Sequence, residues 1–357
     1  MTYIPLFKVM MTPVAKDAVA QVLDSGFIGQ GAVVDEFEKE LERITPYGVV
    51  SMNSCTSSIH AVLMYLGVGP GDEVICPPLT CVASIAPVLA VGARPVWADV
   101  DRTTGNINEF DVAMKVNRRT KAIIAVNWTG RPPDYAGLCS TGIPVIEDAA
   151  HGPLIGDRAT GDFICYSFGP IKHLTCGDGG AVSTPNPAAR AALRLLRWYG
   201  LDRTSSKDFR CAQDIQEAGM KFHMNDINAS IGLANLKKLQ SVVLRHQINA
   251  GSLWAELGDL PFLEQIPFSV SSNYWVFPIK LYDPEDRDKL KLHLENCGIM
   301  SSQVHARVDH HSAYKFPNGD LPGLDEYDSC HLNIPCGWWV TDEQRAHIIA
   351  SVRSFAL

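Results

Sequence analysis

The chain has 357 residues, 46% of them hydrophobic and 20% charged, with a formal net charge of −8. This is the balance of a globular protein, and no apolar run approaches the roughly 20 residues that span a bilayer, so a membrane role is excluded. The acidic balance also argues against a nucleic-acid partner, because no basic face can offset phosphates in bulk.

The length predicts one large and one smaller domain. The start, MTYIPLFKVMMTPVAKD, lacks the charged end, long apolar centre and cleavage site of a signal peptide, so a cytoplasmic location is expected. Ten cysteines are scattered without a Cys-x-x-Cys pair or a His/Cys cluster at zinc spacing. They predict buried thiols and no metal.

In chain order, residues 13–24 predict a helix that Gly26 ends, and residues 32–43 a second, with Val33, Val34, Phe37 and Leu41 on one stripe. Between them Phe27-Ile28-Gly29-Gln30-Gly31 is a flexible segment whose backbone can approach a ligand. Asn53-Ser54-Cys55-Thr56-Ser57-Ser58 then leads into Ile59, Val62, Leu63 and Leu66, a helical face at i, i+3, i+4 and i+7. The hydroxyl-rich turn thus sits at a helix N-terminus, where free N–H groups suit a phosphate; plain N-capping is the alternative.

From residue 70 short apolar runs alternate with helical segments. The runs are 74–76, 95–98, 122–126, 144–146 and 163–166, continuous rather than alternating, as in strands covered on both faces. They predict an α/β fold with a largely parallel sheet. Ligands bind at the carboxyl ends of such strands, so 77–84, 127–130, 147–151 and 167–172 should converge. Two of these carry chemistry. Val145-Ile146-Glu147-Asp148 ends a buried strand in an acid that must be paired to stay charged. Ser167-Phe168-Gly169-Pro170-Ile171-Lys172 sets one lysine between an apolar strand and the glycines at 177, 179 and 180.

A helix over 186–199 and a polar loop over 202–218 follow, and Gly219 to Asp226 leads into another helix. Beyond about residue 250 the pattern predicts a smaller α/β domain. Its expected elements are a strand from Tyr274 to Leu281, a helix from Pro284 to Cys297, and a last helix from Thr341 with a capping box in Thr341 and Gln344. The boundary is placed at 248/249. Val304 to His311 is rich in histidine and reads as a loop near the substrate rather than a metal site.

With these pieces in place the chain resembles the sugar-aminotransferase family called DegT/DnrJ/EryC1/StrS, nearly end to end. The resemblance is carried by SGFIGQGAVVDEFE, NSCTSSIHAVL, GPGDEVICPPLTCVAS, TKAIIAVNWTGRPPD, VIEDAAHG, YSFGPIKHLTCGDGGAV and FHMNDINASIGLANLKKL. It implies the fold-type-I, aspartate-aminotransferase-like architecture and pyridoxal 5′-phosphate, with pyridoxamine 5′-phosphate formed in turnover. By this resemblance Lys172 matches the lysine that bonds to the cofactor, and Asp148 the acid that pairs with the ring nitrogen. His151 matches a contact to the ring. Cys55, Thr56, Ser57 and Ser167 fall in the phosphate cup, and Lys221 and Asn225 in a segment that crosses from the partner of a homodimer.

The family commonly has an aromatic ring where this chain has Cys81, so Trp128 is the expected cover for the cofactor. Phe27, Ile28, Gly31, Trp128, His305 and Arg307 are the expected substrate contacts. The reaction implied is transfer of an amino group from L-glutamate or glutamine to a nucleotide-linked keto sugar, for polysaccharide, lipopolysaccharide or glycoside biosynthesis. The alternatives are a dehydratase of the same family, in which histidine replaces the lysine, and a cofactor-holding regulatory protein without turnover.

Overall fold

The computed structural model describes residues 3–152, 154, 160–204, 210–317 and 319–355. Seven strands form the central sheet: β1 Val49–Met52, β2 Glu73–Cys76, β3 Arg94–Trp97, β4 Thr120–Val126, β5 Val145–Ala149, β6 Phe163–Ser167 and β7 Gly180–Ser183. Their order is β1-β7-β6-β5-β4-β2-β3. The β3–β2, β2–β4, β4–β5 and β5–β6 pairs are parallel, and β7 is antiparallel to both β6 and β1. The five apolar runs are the five parallel strands; helices cover each side and bury both faces of all but the edge strand β3, where Arg94 and Val96 are half-buried.

Strands β1 and β7 have no counterpart among the predicted runs. Each is only four residues, and β7 begins at Gly180, inside a glycine-rich stretch that reads from sequence alone as a turn. Among the predicted helices, Ala15–Ser25 ends at Gly26 with φ 72°, as its left-handed cap requires. Ala32–Glu42, Cys55–Tyr65, Pro187–Leu196 and Asp226–Leu236 also form where the apolar spacing puts them.

The C-terminal sheet is antiparallel, in the order β10-β9-β8, from β8 Leu263–Glu264, β9 Phe277–Leu281 and β10 His331–Ile334. Helices Pro284–Asn296 and Asp342–Arg353 pack on it, the latter with the Thr341/Gln344 capping box formed. The strand expected from Tyr274 starts only at Phe277, because Tyr274 has φ +48° and cannot join a ladder.

The 248/249 boundary lies inside the 19-residue helix Leu239–Leu257. The first residues also join the C-terminal core. Ile4 bridges Ile299 in parallel and is buried with Leu290, Leu332 and Val352. All ten cysteines are free, and six are buried, while Cys139 and Cys211 are exposed. No helix among the described residues is long and apolar enough to cross a membrane.

Candidate active site

The four carboxyl-end segments meet. Parallel register sets Asp148 beside Val126 on one side and Cys165 on the other, and the β4 exit joins it through Asn127 N, which donates to Asp148 O at 3.1 Å. Side chains alternate across the sheet, so Glu147 faces Asn127 Nδ2 at 2.7 Å on one side and Asp148 points to the other. There its Oδ2 accepts from Ser84 Oγ at 2.6 Å, and its Oδ1 accepts from Ala150 N at 2.9 Å and Cys55 Sγ at 3.7 Å. Thr80 Oγ1 lies 2.8 Å from Ser84 Oγ, extending the chain of hydroxyls. Burial, with Asp148 alongside, pushes the Cys55 thiol well above its ordinary range, so it stays a neutral donor.

Lys172 sits at the tip of a closed excursion between β6 and β7. Phe168 N bonds to Gly179 O at 2.8 Å, Cys176 N to Phe168 O at 2.9 Å, and Gly177 turns with φ +82°. The lysine side chain keeps some exposed surface, yet protein surrounds its amine closely enough that desolvation lowers its pKa to about 8. Asp148, Cys55 and Cys81 act in the opposite direction and do not outweigh it. His173, the neighbour that could be confused with it, turns away; its Nδ1 lies 3.2 Å from Asn273 Nδ2 and its ring 4.4 Å from His246. The amine at this site is therefore that of Lys172.

A column of rings stands beside it. The indole of Trp275 lies 4.0 Å from Lys172 Nζ, and His151 stacks on Trp275 at 3.7 Å and 19°. His305 lies parallel to His151 at 5.6 Å and 10°. Burial holds His151 well below the usual imidazole range and brings His305 to about 4, with the Lys172 charge adding to both. Both rings are neutral at pH 7. His151 Nδ1 is buried with no hydrogen-bond partner among the described residues.

The hydroxyl turn caps its helix and also borders the site. Ser54 Oγ accepts from Ser57 N at 3.0 Å and lies 2.9 Å from Ser57 Oγ, so Ser57 is engaged in the cap. Thr56 is half-buried in the same first turn. Strand register pairs Ser167 with Gly180, and a Cβ on Gly180 would fall 2.3 Å from Ser54 C and 2.5 Å from Cys55 N. Only glycine lets β7 press against this helix start, and that contact brings Ser167 to the turn.

The remaining expected contacts stand in different surroundings. Arg307 is spent in pairs with Asp309, at 2.8 Å, and with Asp325, so it is not a cation waiting for substrate. Trp128 is 1% exposed and donates Nε1–H to Tyr327 Oη at 3.2 Å. Its ring backs His151 at 5.8 Å and has no open face to cover a cofactor. Phe27 and Ile28 are 81% and 50% exposed, and Gly31 N is bonded to Asp226 Oδ1 at 2.8 Å. Lys221 is exposed, and Asn225 caps the helix Asp226–Leu236 by accepting from Asn228 N. Cys81 is half-buried at the start of helix Val82–Ala90. Of the polar loop 202–218, residues 205–209 lie outside the described residues.

Two residues of the site have no role in the sequence reading. Ser84 lies within the segment 77–84 and four residues after Thr80, a helical spacing that could have singled it out. Trp275 is hidden inside an apolar stretch that reads as strand.

The chain matches the model of the DegT/DnrJ/EryC1/StrS aminotransferase family over residues 11–353. Among solved structures it is similar to AtS13 from Actinomadura melliaura, with 38% identity, a TM-score of 0.93 and 100% of each chain covered. It is similar to the sugar aminotransferase CalS13 from Micromonospora echinospora at 33% identity and TM-score 0.92, over 99% of this chain and 100% of that one. Spr1654 from Streptococcus pneumoniae in its PMP form shares the fold at TM-score 0.90 and 24% identity, over 98% of each chain.

Proposed function

The chain belongs to the DegT/DnrJ/EryC1/StrS aminotransferase family and is a pyridoxal-phosphate-dependent aminotransferase, and from this premise we propose that it places an amino group on a nucleotide-linked keto sugar, taking it from L-glutamate or glutamine. The observation that carries the reading is the Lys172 amine, lowered to a pKa of about 8 and set near an Asp148 carboxylate that Ser84 and Cys55 hold in place. The sugar is supported by CalS13, a sugar aminotransferase at 33% identity. The nucleotide and the glutamate donor extend that likeness.

The residues present fit the cofactor. A buried acid, a lysine of lowered pKa, a helix start rich in hydroxyls and an orphaned His151 Nδ1 form the donor set that a phosphorylated pyridine aldehyde needs. Bound there, pyridoxal phosphate supplies an aldehyde that takes up the amino group and a ring that accepts electrons. Lys172 would attach to it and, when released, move a proton at Nζ; a pKa near 8 leaves a usable share of the amine neutral at pH 7 to 8. Asp148 would hold a proton on the ring nitrogen. His151, neutral and stacked, would meet the ring's oxygen through Nδ1, with Thr56, Ser57, Cys55 and Ser167 at the phosphate.

The same reading makes the protein a homodimer in which Lys221 serves the partner's phosphate. It is supported by the exposed Lys221 and by the exposed apolar side chains of Phe27, Ile28 and Met220. Trp198 Nε1 holds Gln30 Oε1 at 2.7 Å, pinning that loop to this face.

The decisive experiment offers a panel of nucleotide-linked keto sugars with glutamate or glutamine and looks for the amino product by mass. Amination of free keto acids with every nucleotide sugar left untouched would overturn the substrate assignment.

A further inference from the structure

Trp275 comes to the lysine from the C-terminal part of the chain, and four observations converge on it. Its ring faces Lys172 Nζ at 4.0 Å. Its Nε1–H donates to the carbonyl of Ile171, the residue before the lysine, at 2.9 Å. His151 stacks on it at 3.7 Å, and Phe7 at 4.6 Å. It is 2% exposed, so its ring is shielded from water.

The backbone is bent to deliver it. Tyr274, directly before, is held at φ +48°, a conformation that non-glycine residues rarely adopt. The segment passes so close to Gly130 that a Cβ there would meet Asn273 Oδ1 at 2.2 Å and the backbone nitrogens of Tyr274 and Trp275 at 2.9 Å. His305 is presented in the same manner, following Val304 at φ +73°. Positive φ at the residue before each ring, joined at Trp275 by a glycine that cannot be replaced, shows surroundings that over-determine where these rings stand.

We propose that Trp275 is a positioning residue for the amino transfer, holding the Lys172 side chain on its indole face, the Lys172 backbone through Ile171, and the His151 ring in a parallel stack. A cation over an indole face is favoured when water is excluded, so this contact stabilises the protonated amine and fixes where it points. It opposes the desolvation that drives the proton off. The other groups facing the amine are Asp148 on β5, Cys55 and Cys81 at two helix starts, and the histidines 151, 173 and 305; of these only His151 touches the Trp275 ring, and it is neutral, so a variant at 275 adds or removes no charge beside the amine. The proposal rests on Lys172 being the reacting amine.

The test titrates Lys172 itself. Full-length protein freed of cofactor is pulsed with acetic anhydride across pH 6 to 11, and acetylation of the peptide holding Lys172 is measured by mass spectrometry. Wild type should give a midpoint near 8. In Trp275→Leu the midpoint should fall by about one pH unit, as loss of a desolvated cation–π contact implies, whereas Trp275→Phe, which keeps an aromatic face, should stay close to wild type. In the loaded enzyme Trp275→Leu should lower kcat about tenfold with little change in KM, and Trp275→Phe should recover most of it. Should the leucine variant fail to fold, a ring-fluorinated tryptophan at 275 keeps the shape and weakens the face, and should move the midpoint in the same direction. An unmoved midpoint in folded Trp275→Leu, or in the fluorinated protein, overturns the proposal while leaving Lys172 in its role. Cofactor bonding that survives Lys172→Ala would instead overturn the reading beneath it.

Discussion

Ser84 Oγ donates to Asp148 Oδ2 across 2.6 Å, joining the helix that follows β2 to the acid on β5, two strands along the sheet. The contact is buried, and the second oxygen of the carboxylate is held by Ala150 N and the Cys55 thiol. A hydrogen bond to a buried charge is worth about 1.5–3 kcal/mol. Ser84→Ala should therefore reduce turnover by about ten- to a hundredfold while the cofactor still binds. Asp148→Asn, which removes the charge itself, should cost more, on the order of a hundred- to a thousandfold if a buried pair is broken. Steady-state rates and cofactor content by absorbance check both, and near-normal turnover in Asp148→Asn would remove that residue from its role.

Lys172 should leave a mark on stability as well as on rate. Its ordinary pKa is 10.5 and its folded value about 8. Below about pH 8 folded and unfolded chains both carry the proton, and the folded state bears the full cost of a desolvated cation. Between about 8 and 10.5 the unfolded chain binds more protons than the folded one, so stability rises with pH. Cofactor-free Lys172→Met escapes this cost. It should be more stable than wild type at pH 7, and the gap should narrow as pH rises to 10.5, measured by urea denaturation. A gap that stays constant with pH would contradict the lowered pKa.

The proposed dimer permits a complementation test. Lys172→Ala damages the site of its own chain, whereas Lys221→Glu would damage the site of the partner. Random mixing then gives half mixed dimers, each with one intact site, so about a quarter of wild-type activity should return on co-refolding. If Lys221 acted within its own chain, every mixed dimer would carry both lesions in separate sites without restoring more than the average of the parents.

Arg307 should behave as a structural residue. It is 8% exposed and held by Asp309 and Asp325, and removing one member of a buried pair costs about 3–5 kcal/mol. Arg307→Ala should lower Tm by several degrees and leave KM for the sugar substrate close to wild type. A large rise in KM at unchanged Tm would return Arg307 to the substrate.

The parallel strands, most helices and the pair Lys172 and Asp148 were legible in the chain because each has a local signature: a continuous apolar run, a 3.6-residue stripe, or a charged group where apolar residues surround it. Trp275 has no such mark. Its neighbours Tyr274, Val276 and Phe277 are equally apolar, and only the left-handed turn at Tyr274 takes it out of the strand and onto the lysine. Trp128 failed for the opposite reason. It follows the end of β4 at the right edge, but its ring is drawn inward by Tyr327 from the C-terminal part of the chain, a contact across about two hundred residues that composition cannot encode. Arg307 looked available because its partners Asp309 and Asp325 carry no spacing that marks them as a clamp.

The bridge between Ile4 and Ile299 sets an order of events during synthesis. The seven central strands are complete once residue 183 has left the ribosome, and chains generally fold by units as they emerge. Residues 4–7 must wait. Ile4 needs Gly298 and Met300 for its backbone bonds, Pro5 needs the Trp339 indole, and Phe7 needs the Trp275 ring. Residues 4–7, translated before the central strands, are thus among the last to find their places, and the ring beside Lys172 receives its outer support only when they meet the C-terminal part of the chain.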